Sequence, residues 1–207
     1  MLFRSNRKQM TQPILSILLP TTIDRRIKFY TLLEHLLTQV NDYNNDGEIE
    51  ILIDEDNKEK SIGRKRQDLL ERATGEFVVG IDSDDSIHND YIGKIYKALK
   101  DSPEIDHVGF LERCYIDGVS SISIFSIMHQ QWAENANGYD HIRCANPKSV
   151  IRRTKALQVG YQDIRFGEDR IFSEAVTPLL NSEIFIEEEL YYYNYTSTPH
   201  NERYGIK

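Results

Sequence analysis

Three short apolar runs, at residues 14–19, 49–53 and 76–81, alternate with two segments of helical period before residue 82. Runs this short and continuously apolar suit strands buried on both faces, as in parallel sheets covered by crossover helices. Right-handed crossovers then constrain the chain to an α/β sheet with helices on its faces. Parallel strands end at a common edge, and that edge is where ligands bind in open α/β sheets. Two of the three runs end in acids: Asp54, Glu55 and Asp56 after the second, and Asp82, Asp84 and Asp85 after the third.

The intervening segments read as follows. Pro20 ends the first run, and Thr21, Thr22 and Asp24 offer caps for a helix. Its stripe is Ile27, Tyr30, Leu33, Leu37 and Val40, broadened by Leu32 and Leu36. The Asn-, Asp- and Gly-rich stretch 41–47 ends that helix. A second helix is predicted over 61–73, with Ser61 as cap and Ile62, Leu69, Leu70 and Ala73 inward. Arg66 shares that inward face, so its guanidinium needs a phosphate, ribose or carboxylate near the sheet edge. The plainer alternative is a structural acid, or a side chain that snorkels to solvent.

Beyond the third strand, Asn89 or Asp90 opens a helix with Ile92, Ile95, Tyr96 and Leu99 inside. A strand at 106–111 follows, then a hairpin turned at Asp117-Gly118 between 112–116 and 121–124. The second half therefore reads as a mixed sheet. Residues 128–147 show no period and read as a long lid or binding loop, in which Trp132 is either a sugar platform or simple packing. A strand at 148–152 and a short helix at 154–159 lead to a helix opening on Glu168 and Asp169. The macrodipole favours ionised carboxylates in a first turn, the state a general base at neutral pH requires. Acids there are equally ordinary helix-start residues. The chain closes with 184–186, an acidic run at 187–189, and Tyr191, Tyr192, Tyr193 and Tyr195.

At 207 residues the chain supports one sizeable core. The expected division is a flexible arm at 1–12 and a single domain at 13–207, in two halves at 13–115 and 116–207. A net charge of −8 disfavours a general nucleic-acid or anionic-membrane binder. Cys114 and Cys144 are the only cysteines, too few for a disulfide framework or zinc knuckle. A reducing, cytoplasmic setting is therefore the expectation. No apolar stretch approaches bilayer length, and the polar, basic N-terminus has no signal-peptide core.

Alternate carboxylates on an extended segment point the same way, so Asp82 and Asp84 can face one site. Their repulsion is relieved by a hard divalent cation such as Mg²⁺ or Mn²⁺; the bland reading is a solvated acidic turn. In this order, the pieces resemble the family 2 glycosyltransferases, which have the GT-A fold. Ile17-Leu18-Leu19-Pro20-Thr21 is similar to that family's first strand and turn, and Ile51-Leu52-Ile53-Asp54 to its second strand, whose Asp meets the nucleoside base. Gly63-Arg64-Lys65-Arg66-Gln67 and Ala73-Thr74-Gly75-Glu76-Phe77 resemble the Gly-x-x-Arg-Asn … Ala-x-Gly-Glu-Tyr segment. Ile81-Asp82-Ser83-Asp84-Asp85 looks like the Asp-x-Asp motif, and Glu168-Asp169 like the Glu-Asp pair whose Asp is the base.

The resemblance covers about Ile14 to Tyr195. It implies a three-layer, Rossmann-like α/β fold with a mostly parallel central sheet and a mixed C-terminal part. It also implies an inverting transfer from a nucleotide-diphosphate sugar, most simply a UDP-sugar, to a saccharide or other hydroxyl acceptor. The residues carried over are Asp169 and Glu168 for catalysis; Pro20, Thr21, Thr22, Asp54, Arg66, Asp82 and Ser83 for the nucleotide; and Asp82, Asp84 and His200 for Mn²⁺ or Mg²⁺. Gln67 stands where the family has Asn, and Asp54-Glu55-Asp56-Asn57 replaces Asp-Asp-Gly-Ser, which leaves the base unspecified. Two rivals share features: a non-catalytic sugar-nucleotide binder of the same fold, and a haloacid-dehalogenase-type phosphatase. The phosphatase would carry its Asp-x-Asp on the first strand, not the third.

Overall fold

A computed structural model of the chain describes residues 12–43 and 47–195. In chain order the elements are β1 (Leu15–Thr22), a 3-10 turn (Ile23–Arg25), α1 (Arg26–Tyr43), β2 (Ile49–Asp56), α2 (Ile62–Arg72) and β3 (Phe77–Gly80). Then come β4 (Ser86–Ile87), α3 (Tyr91–Asp101), β5 (His107–Ile116), β6 (Val119–Phe125), β7 (Ala133–Ala136) and β8 (Tyr139–Arg143). The chain continues through β9 (Val150–Arg152), α4 (Arg153–Val159), α5 (Glu168–Val176), a 3-10 turn (Thr177–Leu179) and β10 (Glu183–Tyr195). The expected arm falls almost entirely outside the described residues. None of the described helices is long and apolar enough to cross a membrane.

All of these strands join one sheet, with β1 between β2 and β3, parallel to both. Beyond β3 the sheet is mixed: β9 runs antiparallel to β3 and to the start of β5. Along β5, the antiparallel β6 continues on the side that β9 begins, and β10 pairs in parallel along the other.

Alternation along the central strands divides the interior in two. Leu15, Ile17 and Leu19 of β1, with Phe77 and Val79 of β3, pack against α1 and α3. Leu18 and Val78 point the other way, into a second core with Leu69 and Leu70 of α2, Ala156 of α4 and Phe172 and Val176 of α5. Side chains that alternate across a pleat and are buried on both sides require a layer on each face. Each such aliphatic or aromatic side chain stabilises the fold by about 1.5–3 kcal/mol on burial. The result is the three-layer α/β arrangement.

Several elements differ from the sequence reading. Strand β1 does not stop at Pro20 but continues to Thr22. Past Leu18 it has lost β3 and pairs only with β2, so a residue without an N–H is tolerated there. Helix α1 buries Phe29, Leu32, Leu36 and Val40, while Ile27, Tyr30 and Leu37 of the expected stripe are exposed. Two apolar stripes run along this helix, and the sheet and α3 meet the one formed by Phe29, Leu32, Leu36 and Val40. The supposed loop at 128–147 contains the β7–β8 hairpin, with β8 parallel to β6. Its turn, Asn137-Gly138, has both residues at positive φ (54° and 84°), as does Asp117-Gly118 (50° and 81°). The acidic run 187–189 lies within β10, at register breaks that allow one strand to follow β5 throughout.

One close approach positions everything that follows. The segment entering α5 crosses the start of α2, where Gly63 N–H donates to Ile164 O at 3.2 Å. A Cβ on Gly63 would lie 1.9 Å from Gln162 O. Gly63→Ala is therefore expected to lower stability by about 1–3 kcal/mol, the usual overpacking cost. Urea denaturation monitored by circular dichroism measures it.

Candidate active site

The carboxylates lie where the parallel ladder runs out. Pro20 is opposite Asp54 and Thr22 is opposite Asp56, so the ends of β1 and β2 present their residues side by side. On the other flank, Ile81 N–H donates to Leu18 O at 3.0 Å, and the chain then turns through Asp82 to Asp85. Asp85 N–H closes this turn on Asp82 O at 3.2 Å. Thr21 Oγ1 and Ser83 Oγ are buried here with no hydrogen-bond partner among the described residues. Both therefore retain hydrogen-bonding capacity at the strand edge.

Arg66 joins the pieces. Helix α2 starts on Ser61, whose hydroxyl accepts Arg64 N–H, and its inward face carries Arg66 beneath the sheet edge. The guanidinium donates from Nη2 to Asp82 Oδ1 at 2.7 Å and from Nε to Glu168 Oε1 at 3.2 Å. Gly80 makes room for it, since a Cβ there would meet Arg66 Nη1 at 3.1 Å. Burial disfavours the Arg66 charge, but Asp82 and Glu168 more than offset this and raise its pKa. At Asp82 the same burial is overcome by Arg66, with help from Lys148 and Arg25, and the carboxyl is held below its usual range. At Glu168 burial wins over the longer Arg66 contact, and the carboxyl is pushed up.

Asp54, Asp56 and Asp84 each have a cation of their own. Asp54 is buried and accepts from Lys60 Nζ at 2.8 Å, which also reaches Asp68 at 3.0 Å. Arg66 therefore pairs with Asp82 and Glu168 rather than with Asp54. Asp84 pairs with Arg25 at 3.0 Å near the surface. Lys65 is buried between Asp56 and Thr21 O. Behind the turn, Lys148 pairs with Glu112 and lies over the rings of Tyr191 and Tyr193, 4.9 and 4.5 Å from their centroids. Asp85 is buried and accepts from the Tyr191 hydroxyl at 2.8 Å. Its pKa is pushed up to about 8 by burial, against the pull of Lys148.

Asp169 lies beside Glu168 in the first turn of α5, half-buried, with Oδ1 accepting Arg170 N–H at 2.8 Å. Trp132 stacks under Arg143 (4.5 Å to the ring centroid), with Arg170 at 5.8 Å. It thus links the β7–β8 region to the start of α5. His200 lies outside the described residues. Lys60, Lys65, Lys148 and Glu112 were not singled out from sequence. Lys148 is an isolated charge in its segment and the others are one charge among several, and only the fold supplies the partner that singles each out.

Asp82 and Asp84 offer hard oxygen donors of the kind Mg²⁺ and Mn²⁺ prefer. Among the described residues no group of three or more His, Cys, Asp or Glu could hold a metal ion. Two carboxylates therefore fit a divalent ion only as part of its shell, the rest coming from phosphate oxygens and water, as is usual for Mg²⁺ with nucleotides.

Residues 33–158 match the model of glycosyl transferase family 2. The chain belongs to this family. Among solved structures it resembles S. aureus TarS 1-349 in complex with UDP-GlcNAc, with a TM-score of 0.61 and 17% identity over 91% of this chain and 60% of that one. TarS 1-349 in complex with UDP matches with a TM-score of 0.59 and 18% identity, over 93% of this chain and 62% of that one. The mannosyltransferase PcManGT from Pyrobaculum calidifontis, in complex with GDP-Man and Mn²⁺, matches with a TM-score of 0.53 and 13% identity over 88% and 57% of the two chains. The likeness establishes the GT-A fold, and the family 2 chain spans about 60% of the TarS 1-349 length. No curated protein sequence matches it.

The Arg66 bridge predicts a pH signature. Arg66→Met leaves Asp82 and Glu168 buried without their cation, which costs about 3–5 kcal/mol. In the wild type, the lowered Asp82 pKa gives stability that is present above the ordinary carboxylate range and lost as pH falls through the folded value. In the variant both acids are raised, so the sign reverses and stability is lost as pH rises. Urea titrations from neutrality down to about pH 4, the ordinary carboxylate range, should show the deficit shrinking with acidification.

Proposed function

We propose that this chain is the donor-binding and catalytic unit of a metal-dependent, inverting glycosyltransferase, moving a sugar from a nucleotide-diphosphate donor to an acceptor hydroxyl. The observation that carries the reading is the Arg66 bridge. It ties the Asp-x-Asp turn to the Glu-Asp helix start, so the two acidic groups belong to one site. Complexes of the similar structures with UDP-GlcNAc and GDP-Man support a sugar-nucleotide donor, and UDP-sugar is our choice.

In this reading Pro20, Thr21, Thr22 and Asp54 form the base end of the site. Asp54 accepts a ring N–H, and Lys60 pairs with it meanwhile. The free hydroxyls of Thr21 and Ser83 donate to the nucleotide. Asp82 takes the ribose, oriented by Arg66, and Asp82 and Asp84 hold the divalent ion. That ion, when bound, neutralises the charge that grows on the departing diphosphate. Arg25 balances Asp84 until then.

Asp169 is the general base. It takes the proton from the acceptor hydroxyl as that oxygen bonds to the anomeric carbon. The bond from that carbon to the diphosphate oxygen breaks on the opposite side, its electron pair leaving with the diphosphate, and the configuration inverts. Glu168 stays with Arg66 and fixes the start of α5, so that Asp169 keeps its place. The acceptor, a saccharide or other hydroxyl compound, approaches over residues 116–207.

A thermal-shift screen of nucleoside diphosphates with and without Mn²⁺ tests the reading directly. One nucleotide should raise the melting temperature in a metal-dependent way, and no shift with any of them would overturn it. Asp84→Ala should abolish the metal-dependent part of binding, as read by calorimetry. Asp169→Asn should leave donor affinity nearly unchanged while transfer falls by roughly two to four orders of magnitude; unimpaired turnover would remove Asp169 from the role.

A further inference from the structure

The contacts behind the Asp82–Asp85 turn have no part in the chemistry above. Tyr191, on β10, is fully buried. Its phenolic oxygen accepts Asp82 N–H at 3.0 Å, and its O–H donates to Asp85 Oδ2 at 2.8 Å. The other Asp85 oxygen accepts Asn194 N–H at 3.1 Å. One strand from the far end of the chain therefore grips both ends of the turn, with Asp84 between the two grips.

A phenol has one proton to donate and lone pairs to accept. Tyr191 uses both capacities on the same turn, which fixes the rotation of its hydroxyl. The ring is fixed in turn by the Lys148 ammonium over its face and by its place in the core, and Lys148 is itself fixed by Glu112 on β5. Phenylalanine would fill the same volume. It would leave the Asp82 N–H and a buried carboxylate oxygen of Asp85 without partners, and such losses relax a turn rather than unfold a domain.

We propose that Tyr191 is a positioning residue for the diphosphate end of the donor: by holding Asp82 N–H and Asp85 together it sets the direction of the Asp82 and Asp84 carboxylates. The proposal rests on the reading that those carboxylates meet the metal and diphosphate. Tyr191 touches neither ligand and acts through the turn. Base contacts are made by β1 and β2 and Arg66 still orients Asp82 toward the ribose, so the effect of Tyr191 falls mainly on the metal-dependent part of binding.

Calorimetric titration of wild type, Tyr191→Phe and Asp85→Asn with UDP and with GDP, each in Mn²⁺ and in EDTA, separates these contributions. Tyr191→Phe should bind the preferred nucleotide about 10- to 100-fold more weakly in Mn²⁺, the scale expected for a displaced catalytic group, with affinity in EDTA within about twofold. Asp85→Asn, which sets an amide donor against Asn194 N–H, should show a smaller loss of the same kind and keeps the test open if Tyr191→Phe does not fold. Equal affinity of the folded variants and the wild type in Mn²⁺ overturns the proposal. So does an equal loss in Mn²⁺ and EDTA, which would mark a general structural role. A wild type that binds neither of these nor any other nucleoside diphosphate of the thermal-shift screen overturns the functional reading itself, and the proposal with it.

Discussion

A buried guanidinium between two carboxylates is the constraint on which this structure turns. Removing Arg66, Asp82 and Glu168 from water is costly, and the cost is offset only while all three stay in register. That requirement fixes α2 against the end of β3 and α5 against both. Burial and pairing do not balance equally at the two acids: Asp82, at 2.7 Å, is held ionised, while Glu168, at 3.2 Å, is pushed toward neutrality. The bridge thus shifts its two acids in opposite directions, Asp82 down and Glu168 up.

The same logic recurs around the turn at lower density. Asp54 has Lys60, Asp56 has Lys65, Asp84 has Arg25, and Lys148 lies behind Asp82 and Asp85. Acids crowded at one sheet edge repel one another, and Asp54, Asp56 and Asp84 are each matched with a cation from another part of the chain. A polyanionic diphosphate and its cation can enter such an edge by rearranging pairs rather than by creating net charge. The late strand β10 then stabilises the turn from behind through Tyr191, so both halves of the chain contribute to one edge.

Much of this was legible in the residues. Arg66 could be read as inward because it falls at helical spacing from Ile62 and Leu69, and an inward guanidinium must have an anionic partner. The Asp117-Gly118 turn followed from the positive φ that both positions require. Other elements were not legible for equally physical reasons. Helix α1 carries two apolar stripes, and periodicity cannot say which one meets the sheet. The β7–β8 strands are short, β7 is mostly exposed and β8 buries only Ile142, so they lack the apolar alternation that marks a half-buried strand. Lys148 stands alone in its segment, and its partners lie on β5 and β10.

By itself the sequence determined the class of fold and where its acids gather. Short apolar runs separated by helices allow little besides a parallel sheet, and acids placed after such runs must emerge at its common edge. It also marked the Glu168-Asp169 helix start as a second acidic group. Only the tertiary structure decided which acids share a cation, which are held ionised, and which residues stand behind the turn. Pairing energies depend on distances of a few ångströms and on burial. Residues 66, 82, 168 and 191 acquire those only when the sheet has closed and β10 has returned along β5.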